Sequence, residues 1–333
     1  LATSDIPNTT PQLQQVVIDM PGTLLAGNHK LKLWNTQGDS ETVIPLSELS
    51  LHDGSTWTQA TASATFPVRG TGETLSYNGK LWHMGGYVGA TYKNDVWSST
   101  DGITWTEVTA NADWPVRGKF SAVVYDDKMW IMGGITSGVF RNDVWYSTDG
   151  ITWTEATANA AWSDRTHPEI VAFDNKMWLM GGTTGGGVAK ADVWSSSDGI
   201  TWTQTADGAF PGRYLSTSLV YDNKIWLLGG YGGGNKNDVW SSTDGITWTE
   251  VTSSATWGIR YALTSVVYDN KMWILGGYSG GEVWNSTDGI AWTLATPNGG
   301  WGNRGYADAV VLNDLIWLIA GDNVAINLND VWH

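Results

Sequence analysis

The sequence predicts an all-β fold, a six-bladed β-propeller with four antiparallel strands in each blade. The first observation is a hydrophobic run that contains tryptophan and ends in two glycines; it recurs six times, weakened in the last copy to Ala320-Gly321. The second is the even spacing of its tryptophans, which stand 48, 48, 48, 47 and 44 residues apart at Trp82, Trp130, Trp178, Trp226, Trp273 and Trp317. The third is that each copy contains two short Asn/Asp/Gly segments that favour tight turns, and each turn would join two short strands.

Composition limits the classes of function. The 333 residues form one domain if the repeats close into a ring, and the absence of cysteine excludes disulfides and thiolate sites. A net charge of −15 disfavours nucleic acid and anionic membranes as partners. No apolar run is long enough to span a membrane. The Trp-rich, Lys-poor, acidic composition favours a bacterial protein that is secreted, displayed at the cell surface or periplasmic.

The first 47 residues lack the clear repeat. We predict that residues 1–47 form an N-terminal arm or cap, with a degenerate extra blade as the alternative, and that residues 48–333 form the propeller. An arm of this kind would suit self-assembly of the protein.

Each repeat is predicted to contain strands a to d. In the second copy strand a is 121–125 and strand b is 128–132, joined by Asp126-Asp127, because two-residue Asn/Asp/Gly loops between apolar runs favour hairpins. Strand c carries Asp-Val-Trp and strand d carries Ile-Thr-Trp-Thr, joined around Asp-Gly. The eighteen tryptophans at equivalent positions of strands b, c and d are expected to pack blade against blade.

The two ends of the repeat region complement each other. The chain stops on strand c of the sixth blade, at Val331-Trp332, whereas the turn at Asp53-Gly54 and the strand after it have no strands a and b before them. We therefore expect the N-terminal strand to complete the last blade and close the ring.

The motifs resemble kelch repeats over residues of about 49–333: the Gly133-Gly134 pair after strand b, Asn142-Asp143-Val144 on strand c and Trp153 on strand d. Kelch-like propellers include galactose oxidase, whose copper site requires a Cys-crosslinked tyrosine; that chemistry is excluded here. They also include the six-bladed bacterial sialate epimerase, a mutarotase. This resemblance implies the fold, and by analogy alone a sugar-ring epimerase activity.

Function is expected on the face that carries the d-to-a and b-to-c loops, called here the loop face. Every d-to-a loop has an aromatic residue three positions before an arginine, so we predict a ligand site made by Arg69, Arg117, Arg165, Arg213, Arg260 and Arg304 with Phe66, Trp114, Trp162, Phe210, Trp257 and Trp301. Tyr87, Tyr231 and Tyr278 directly follow the glycine pair and are added to this site.

Side chains alternate between the two faces of a strand, so the second and fourth residues after each arginine are expected on the same face of strand a as the arginine. Strand a is the innermost strand of a blade, and its first residues border the central channel. The fourth position is polar in all copies: Glu73, Ser121, Glu169, Thr217, Thr264 and Asp308. Six arginines against three carboxylates would leave a surplus of positive charge that favours an anion. In the competing interpretation, the arginines tie the blades together by bonding neighbouring carbonyls and the channel carboxylates.

Three functions follow. The first is an extracellular, non-catalytic module that binds a glycan, an anionic ligand or an acidic protein partner, without a cofactor or a metal. Removing Arg117 and Arg213 should then weaken binding and leave the melting temperature nearly unchanged. The second is a sugar mutarotase or epimerase, in which Glu73, Glu169 or His167 supplies acid–base catalysis. The third is a structural subunit of a surface filament or adhesin.

Overall fold

The computed structural model of the chain describes residues 30–34, 41–45, 54–278 and 280–333. The chain divides into two compact units, Leu1–Asp53 and Gly54–His333. In the first unit, β1 (Lys30–Trp34) pairs antiparallel with β2 (Glu41–Pro45). The remainder of the predicted arm at 1–47 lies outside the described residues.

The second unit is a six-bladed propeller, as predicted, with four antiparallel strands in each blade. Blade 1 contains β4 (Glu73–Tyr77), β5 (Lys80–Val88), β6 (Thr91–Ser99) and β7 (Thr106–Thr109). Blade 2 contains β8 (Ser121–Tyr125), β9 (Lys128–Met132), β12 (Val144–Ser147) and β13 (Thr154–Thr157). Blade 3 contains β14 (Glu169–Phe173), β15 (Lys176–Met180), β18 (Val193–Ser196) and β19 (Thr203–Ala206).

Blade 4 contains β20 (Thr217–Tyr221), β21 (Lys224–Tyr231), β22 (Asn235–Ser242) and β23 (Thr249–Thr252). Blade 5 contains β24 (Tyr261–Tyr268), β25 (Lys271–Tyr278), β26 (Val283–Ser286) and β27 (Thr293–Thr296). Blade 6 contains β28 (Asp308–Leu312), β29 (Leu315–Ile319), β30 (Val331–Trp332) and β3 (Gln59–Thr61). Short hairpins extend the b-to-c loops of blades 2 and 3: β10 (Ile135–Thr136) with β11 (Val139–Phe140), and β16 (Thr183–Thr184) with β17 (Val188–Ala189). The described residues form no helix, and so none that could cross a membrane.

The tight turns have the predicted backbone geometry. Asp126 and Asp127 have φ of 49° and 51°, the left-handed conformation that Asn, Asp and Gly tolerate best. One boundary differs from the prediction: strand d begins after its tryptophan, at Thr154 in blade 2. Trp153 belongs instead to the c–d turn, where its indole N–H donates to the Gly150 carbonyl.

The N-terminal strand closes the ring as predicted. β3 pairs antiparallel with β30, opposite Trp332 and Val331. The side-chain amide of Asn329 donates to the carbonyls of Ala64 and Phe66 at 2.9 and 3.0 Å, which fixes the following loop to the last blade. Early and late segments of the sequence therefore share one sheet.

Tryptophan packing joins neighbouring blades, which confirms the role predicted for this residue type. The strand-b tryptophans are all at least 95% buried. Each lies directly under the c–d turn glycine of the following blade, where no side chain fits: a Cβ on Gly150 would lie 2.3 Å from the Trp82 ring, and one on Gly199 2.2 Å from Trp130. The Asp-Gly turn is thus an inter-blade contact as well as a chain reversal.

This packing gives a testable prediction. Gly150→Ala is expected to lower the free energy of unfolding by about 2–4 kcal/mol, because it adds left-handed strain and a clash with Trp82. Gly79→Ala is the matched control, since Gly79 has a similar φ of +71° with open space around its Cβ position. Chemical denaturation of both variants would measure the difference. Equal losses would show that backbone strain alone is responsible.

Candidate functional site

The six predicted ligand-binding arginines are buried in ion pairs within their own blades. Arg117 is 0% exposed; its Nη1 and Nη2 donate to the Asp143 carboxylate at 2.8 and 2.6 Å, and Nη1 also donates to the Gly133 carbonyl at 2.8 Å. The equivalent pairs are Arg69–Asp95, Arg165–Asp192, Arg213–Asp238, Arg260–Glu282 and Arg304–Asp330. The guanidinium groups therefore hold each d-to-a loop against the glycine pair and strand c, which agrees in part with the competing interpretation.

Four of the partner carboxylates are stabilised in their ionised form. Burial raises the pKa of Asp143, but the hydrogen bonds and charge of Arg117 outweigh it and hold that pKa below its usual value. The same balance lowers the pKa of Asp95, Asp192 and Asp238. The surplus of positive charge expected at the channel is therefore absent: each arginine already has its counter-ion.

The predicted loop aromatics are buried as well. Phe66, Trp114, Trp162, Phe210, Trp257 and Trp301 are at most 6% exposed. Each packs edge-on against a tryptophan that precedes strand d; the Trp114 and Trp153 ring centroids, for example, are 6.0 Å apart. In this arrangement their faces are not available to a ligand at the surface.

A cavity of about 230 Å³ lies on the propeller axis, at the starts of the six innermost strands. The predicted polar positions line it: Glu73, Ser121, Glu169, Thr217, Thr264 and Asp308. So do the residues two positions after each arginine: Thr71, Lys119, His167, Leu215, Ala262 and Tyr306. At about 30 Å³ for each water molecule in the liquid, the cavity has room for roughly eight water molecules, or for one small ligand.

Backbone conformation explains why the arginines are not part of this lining. The second residue after each arginine has φ between 48° and 59°, which breaks the strand alternation assumed in the sequence analysis. Backbone hydrogen bonds pass from blade to blade at this level, as in His167 N to Lys119 O at 2.8 Å and Ala262 N to Leu215 O at 2.8 Å. Non-glycine residues held at positive φ are strained, and such strain is concentrated at functional sites.

Three carboxyl groups converge in the cavity. Burial raises the pKa of Glu169 to about 8, against hydrogen bonds from Ser218 and Ser216 at 3.0 and 3.3 Å. Burial likewise raises the pKa of Asp308 to about 7, against a 2.8 Å hydrogen bond from Thr74.

The third carboxyl group, Glu73, has a pKa well above its ordinary value, first because of burial and then because of the charges of Asp308 and Glu169. The three groups thus act on one another, and the electrostatic potential of the cavity is negative wherever they are ionised. Within the described part of the chain, none of the three forms an ion pair.

His167 presents unused hydrogen-bonding groups to the same cavity. Both of its ring nitrogens are buried and lack a hydrogen-bond partner among the described residues, as does the Thr71 hydroxyl. Burial, and secondarily the charge of Lys119, lower the pKa of His167 to about 3, so the imidazole is neutral at physiological pH. Buried polar atoms without partners are uncommon, and here they face a space that a ligand can enter.

Six rings on the loop face form a closed series of contacts, called here the aromatic circuit: His167, Tyr214, Tyr231, Tyr261, Tyr278 and Tyr306, in that order. Successive ring centroids are 6.3, 5.4, 6.1, 5.1 and 5.8 Å apart, and Tyr306 returns to His167 at 5.7 Å. His167 and Tyr306 begin blades 3 and 6, which are opposite each other in a ring of six. Their contact therefore bridges the channel, and these two rings line the cavity, whereas the other four rings of the circuit lie beside it.

Comparison with known proteins agrees with this architecture. Residues 12–195, more than half of the chain, match the DUF6242 beta propeller domain family. The chain belongs to this family. No curated protein matches the chain significantly.

In this DUF6242 propeller, the structure regroups the residues singled out from the sequence. Glu73, Glu169 and His167 meet in one cavity. Tyr231 and Tyr278 are in the aromatic circuit, whereas Tyr87 packs outside it against Tyr92, at 5.1 Å. No group of three or more His, Asp or Glu side chains in the described ranges is arranged to hold a metal ion.

Sequence reasoning missed Tyr214 and Tyr261 as members of the site of this DUF6242 domain; it placed Tyr306 at the central channel but did not assign it to the site. They stand one or two residues after Arg213, Arg260 and Arg304. Aromatic residues at this point in three consecutive blades were the available signal. The positive φ at the second residue after each arginine has no sequence signature, because the six residues at that position differ in size, polarity and charge.

Proposed function

We propose that this DUF6242 propeller is a binding module that takes a small, hydroxyl-rich ligand, a glycan or its terminal sugar, into the axial cavity from the loop face. One observation carries the proposal: polar groups without hydrogen-bond partners line the axial cavity, next to a closed series of aromatic rings. Sugars have both hydroxyl groups, which bond to carboxyl and imidazole groups, and apolar ring faces, which pack on aromatic side chains.

The anionic ligand considered from the sequence is replaced in this proposal by a neutral or cationic one. The arginines that favoured an anion are neutralised by carboxylates of their own blades. The cavity itself contains three carboxyl groups and one lysine, Lys119. An anion placed there would be repelled as the carboxyl groups ionise.

Sugar mutarotation is the second candidate function. Glu169 and His167 lie in the same cavity, where Glu169, with a pKa of about 8, holds a proton that it can donate near neutral pH. His167, with a pKa of about 3, is neutral there and only a weak proton acceptor. Anomer exchange needs one group that donates a proton and another that accepts one. From the sequence, the analogy with the epimerase rested on architecture. The presence of Glu169 and His167 in one cavity adds support from specific residues.

The test is a titration of the protein with free reducing sugars, followed by NMR, which reports binding and anomer exchange together. Tyr231→Ala, in the aromatic circuit, is expected to weaken sugar binding about tenfold, equivalent to ~1.4 kcal/mol. Tyr92→Ala is the matched control, since Tyr92 lies on the b–c ribbon of blade 1 outside the circuit. Equal affinity of both variants, or no binding by the wild type, would contradict the proposal. Anomer exchange at the buffer rate would exclude the mutarotase.

Three further parts of the sequence prediction are kept as proposals. Kelch ancestry is supported by the glycine pairs and the Asn-Asp-Val motif, in which Asn142 holds the next d-to-a loop and Asp143 holds Arg117. An extracellular bacterial location is supported by composition alone. Self-assembly through residues 1–47 also stays a proposal, because most of that segment lies outside the described residues.

A further inference from the structure

We infer that the group which enters the axial cavity is an ammonium cation, so that the ligand is an amino sugar or a similar hydroxyl-rich amine. The inference rests on the proposed function and specifies its ligand class. Two independent features carry it: three carboxyl groups in the cavity without ion-pair partners among the described residues, and the aromatic circuit, two rings of which line the same cavity.

The three carboxyl groups in the cavity lack the positively charged partners that the strand-c carboxylates have. The strand-c carboxylates, such as Asp143, pair with arginines. Glu73, Glu169 and Asp308 instead receive hydrogen bonds from serine, threonine or backbone groups, which are neutral. A buried carboxylate is strongly favoured by a nearby cation. An ammonium ligand would supply the missing counter-charge and would also donate to the carboxyl oxygens.

The aromatic circuit suits the same ligand. Tyrosine faces attract cations within about 6 Å of the ring centroid, and aromatic cages are a known means of binding ammonium groups. Tyr231 is 37% exposed, so the circuit is reachable from solvent. His167 and Tyr306, which belong to the circuit, line the cavity together with the carboxyl groups, so the circuit and the carboxyl groups adjoin one another and both favour positive charge.

The pH dependence of binding follows from the groups that face the site. These are Glu73, Glu169, Asp308, His167, Lys119 and the circuit tyrosines, with Asp322 bonded to Tyr278. An ammonium ion binds best when the carboxyl groups are ionised. Glu169 and Asp308, with pKa values of about 8 and 7, gain charge between pH 6 and 8.5.

Affinity for a cation should therefore rise across that range, while affinity for a neutral sugar should stay nearly constant. The other groups leave this expectation unchanged. His167, with a pKa of about 3, is neutral throughout. Burial raises the pKa of Tyr306 to about 12, so this ring keeps its proton.

The experiment is calorimetric titration of the full chain with three probes at pH 6.0, 7.2 and 8.5. Glucose is the neutral sugar, 6-amino-6-deoxyglucose adds one amine, and tetramethylammonium carries a permanent charge without hydroxyl groups. The amino sugar is expected to bind at least tenfold more tightly than glucose at pH 7.2. Its affinity, and that of tetramethylammonium, is expected to rise several-fold from pH 6.0 to 7.2, with tetramethylammonium rising further to pH 8.5.

Two variants should change this preference in opposite directions. Glu169→Gln keeps the shape of the side chain and is expected to reduce affinity for the amino sugar about tenfold relative to affinity for glucose. Lys119→Met removes the lysine from the cavity lining and is expected to increase amine affinity. Glu155→Gln, at an exposed position on strand β13, is the control. General damage to the fold would weaken both ligands together and would not produce opposite changes.

The outcomes separate the two proposals. Equal, pH-independent binding of glucose and its amine would overturn the ammonium inference and support a neutral-sugar site. Binding of tetramethylammonium without either sugar would support the ammonium inference and overturn sugar binding. Absence of binding by all three probes would overturn both.

Discussion

Arg117→Ala is expected to lower the free energy of unfolding by about 3–5 kcal/mol, because it leaves the Asp143 carboxylate buried without its partner. The guanidinium group also satisfies the Gly133 carbonyl, which would lose a hydrogen bond. This reverses the expectation from sequence that arginines of this set can be removed with little loss of melting temperature. The measurement is urea denaturation followed by tryptophan fluorescence.

Arg141→Ala is the matched control for that experiment. Arg141 lies on the same face in the b-to-c loop of blade 2, is half-buried, and donates to the Thr136 hydroxyl at 3.4 Å. Its removal is expected to change stability by about 0.5 kcal/mol or less, as is usual for sites near the surface. Similar denaturation midpoints for the two variants would contradict the structural role assigned to the buried ion pair.

Removing the closing strand is expected to have the largest effect of all. A chain that starts at residue 64 lacks β3 and Trp57, which packs on the core between blades 5 and 6. Loss of that side chain alone should lower stability by about 3–5 kcal/mol, and β30 becomes an unpaired edge open to association. We expect aggregation or a broad, non-cooperative melting transition, measured by light scattering and circular dichroism.

A chain that starts at residue 48 is the control for that truncation. It retains Gly54, seated on the Trp273 ring, and the whole of β3. It is expected to show a cooperative transition close to that of the full chain, without the aggregation expected of the shorter chain. If both truncated chains melted alike, closure by the N-terminal strand would not stabilise the ring.

The fold could be predicted in detail from the sequence because every repeat has the same turn residues and tryptophans at equivalent positions. Turn residues such as Asp126-Asp127 require a specific backbone geometry, and the period of the tryptophans gives the number of blades. Closure was predictable too, since the strand missing at Trp332 is present near Trp57. The turn residues act through local backbone conformation, and the numbers of blades and strands follow from counting the repeats.

The site was harder to predict, since it depends on which way each side chain turns. An arginine in every blade, such as Arg117, fits an ion pair as well as a ligand site; the sequence does not indicate that Asp143, 26 residues later, faces it. The residues at positive φ, Lys119 and His167 among them, were assigned to the arginine face because strand alternation was assumed. The polar lining at Glu73 and Glu169 was predicted correctly because it continues the regular part of strand a.

Ring closure has a consequence for the order of events during protein synthesis. Gln59 and Asp330, which meet in blade 6, are 271 residues apart. At typical elongation rates of 5–20 residues per second, β3 leaves the ribosome roughly 15–50 s before its partner. During that interval it must wait without pairing to other chains. Its short length and its composition, Gln59-Ala60-Thr61, suit a segment that has to stay soluble until β30 has been synthesised.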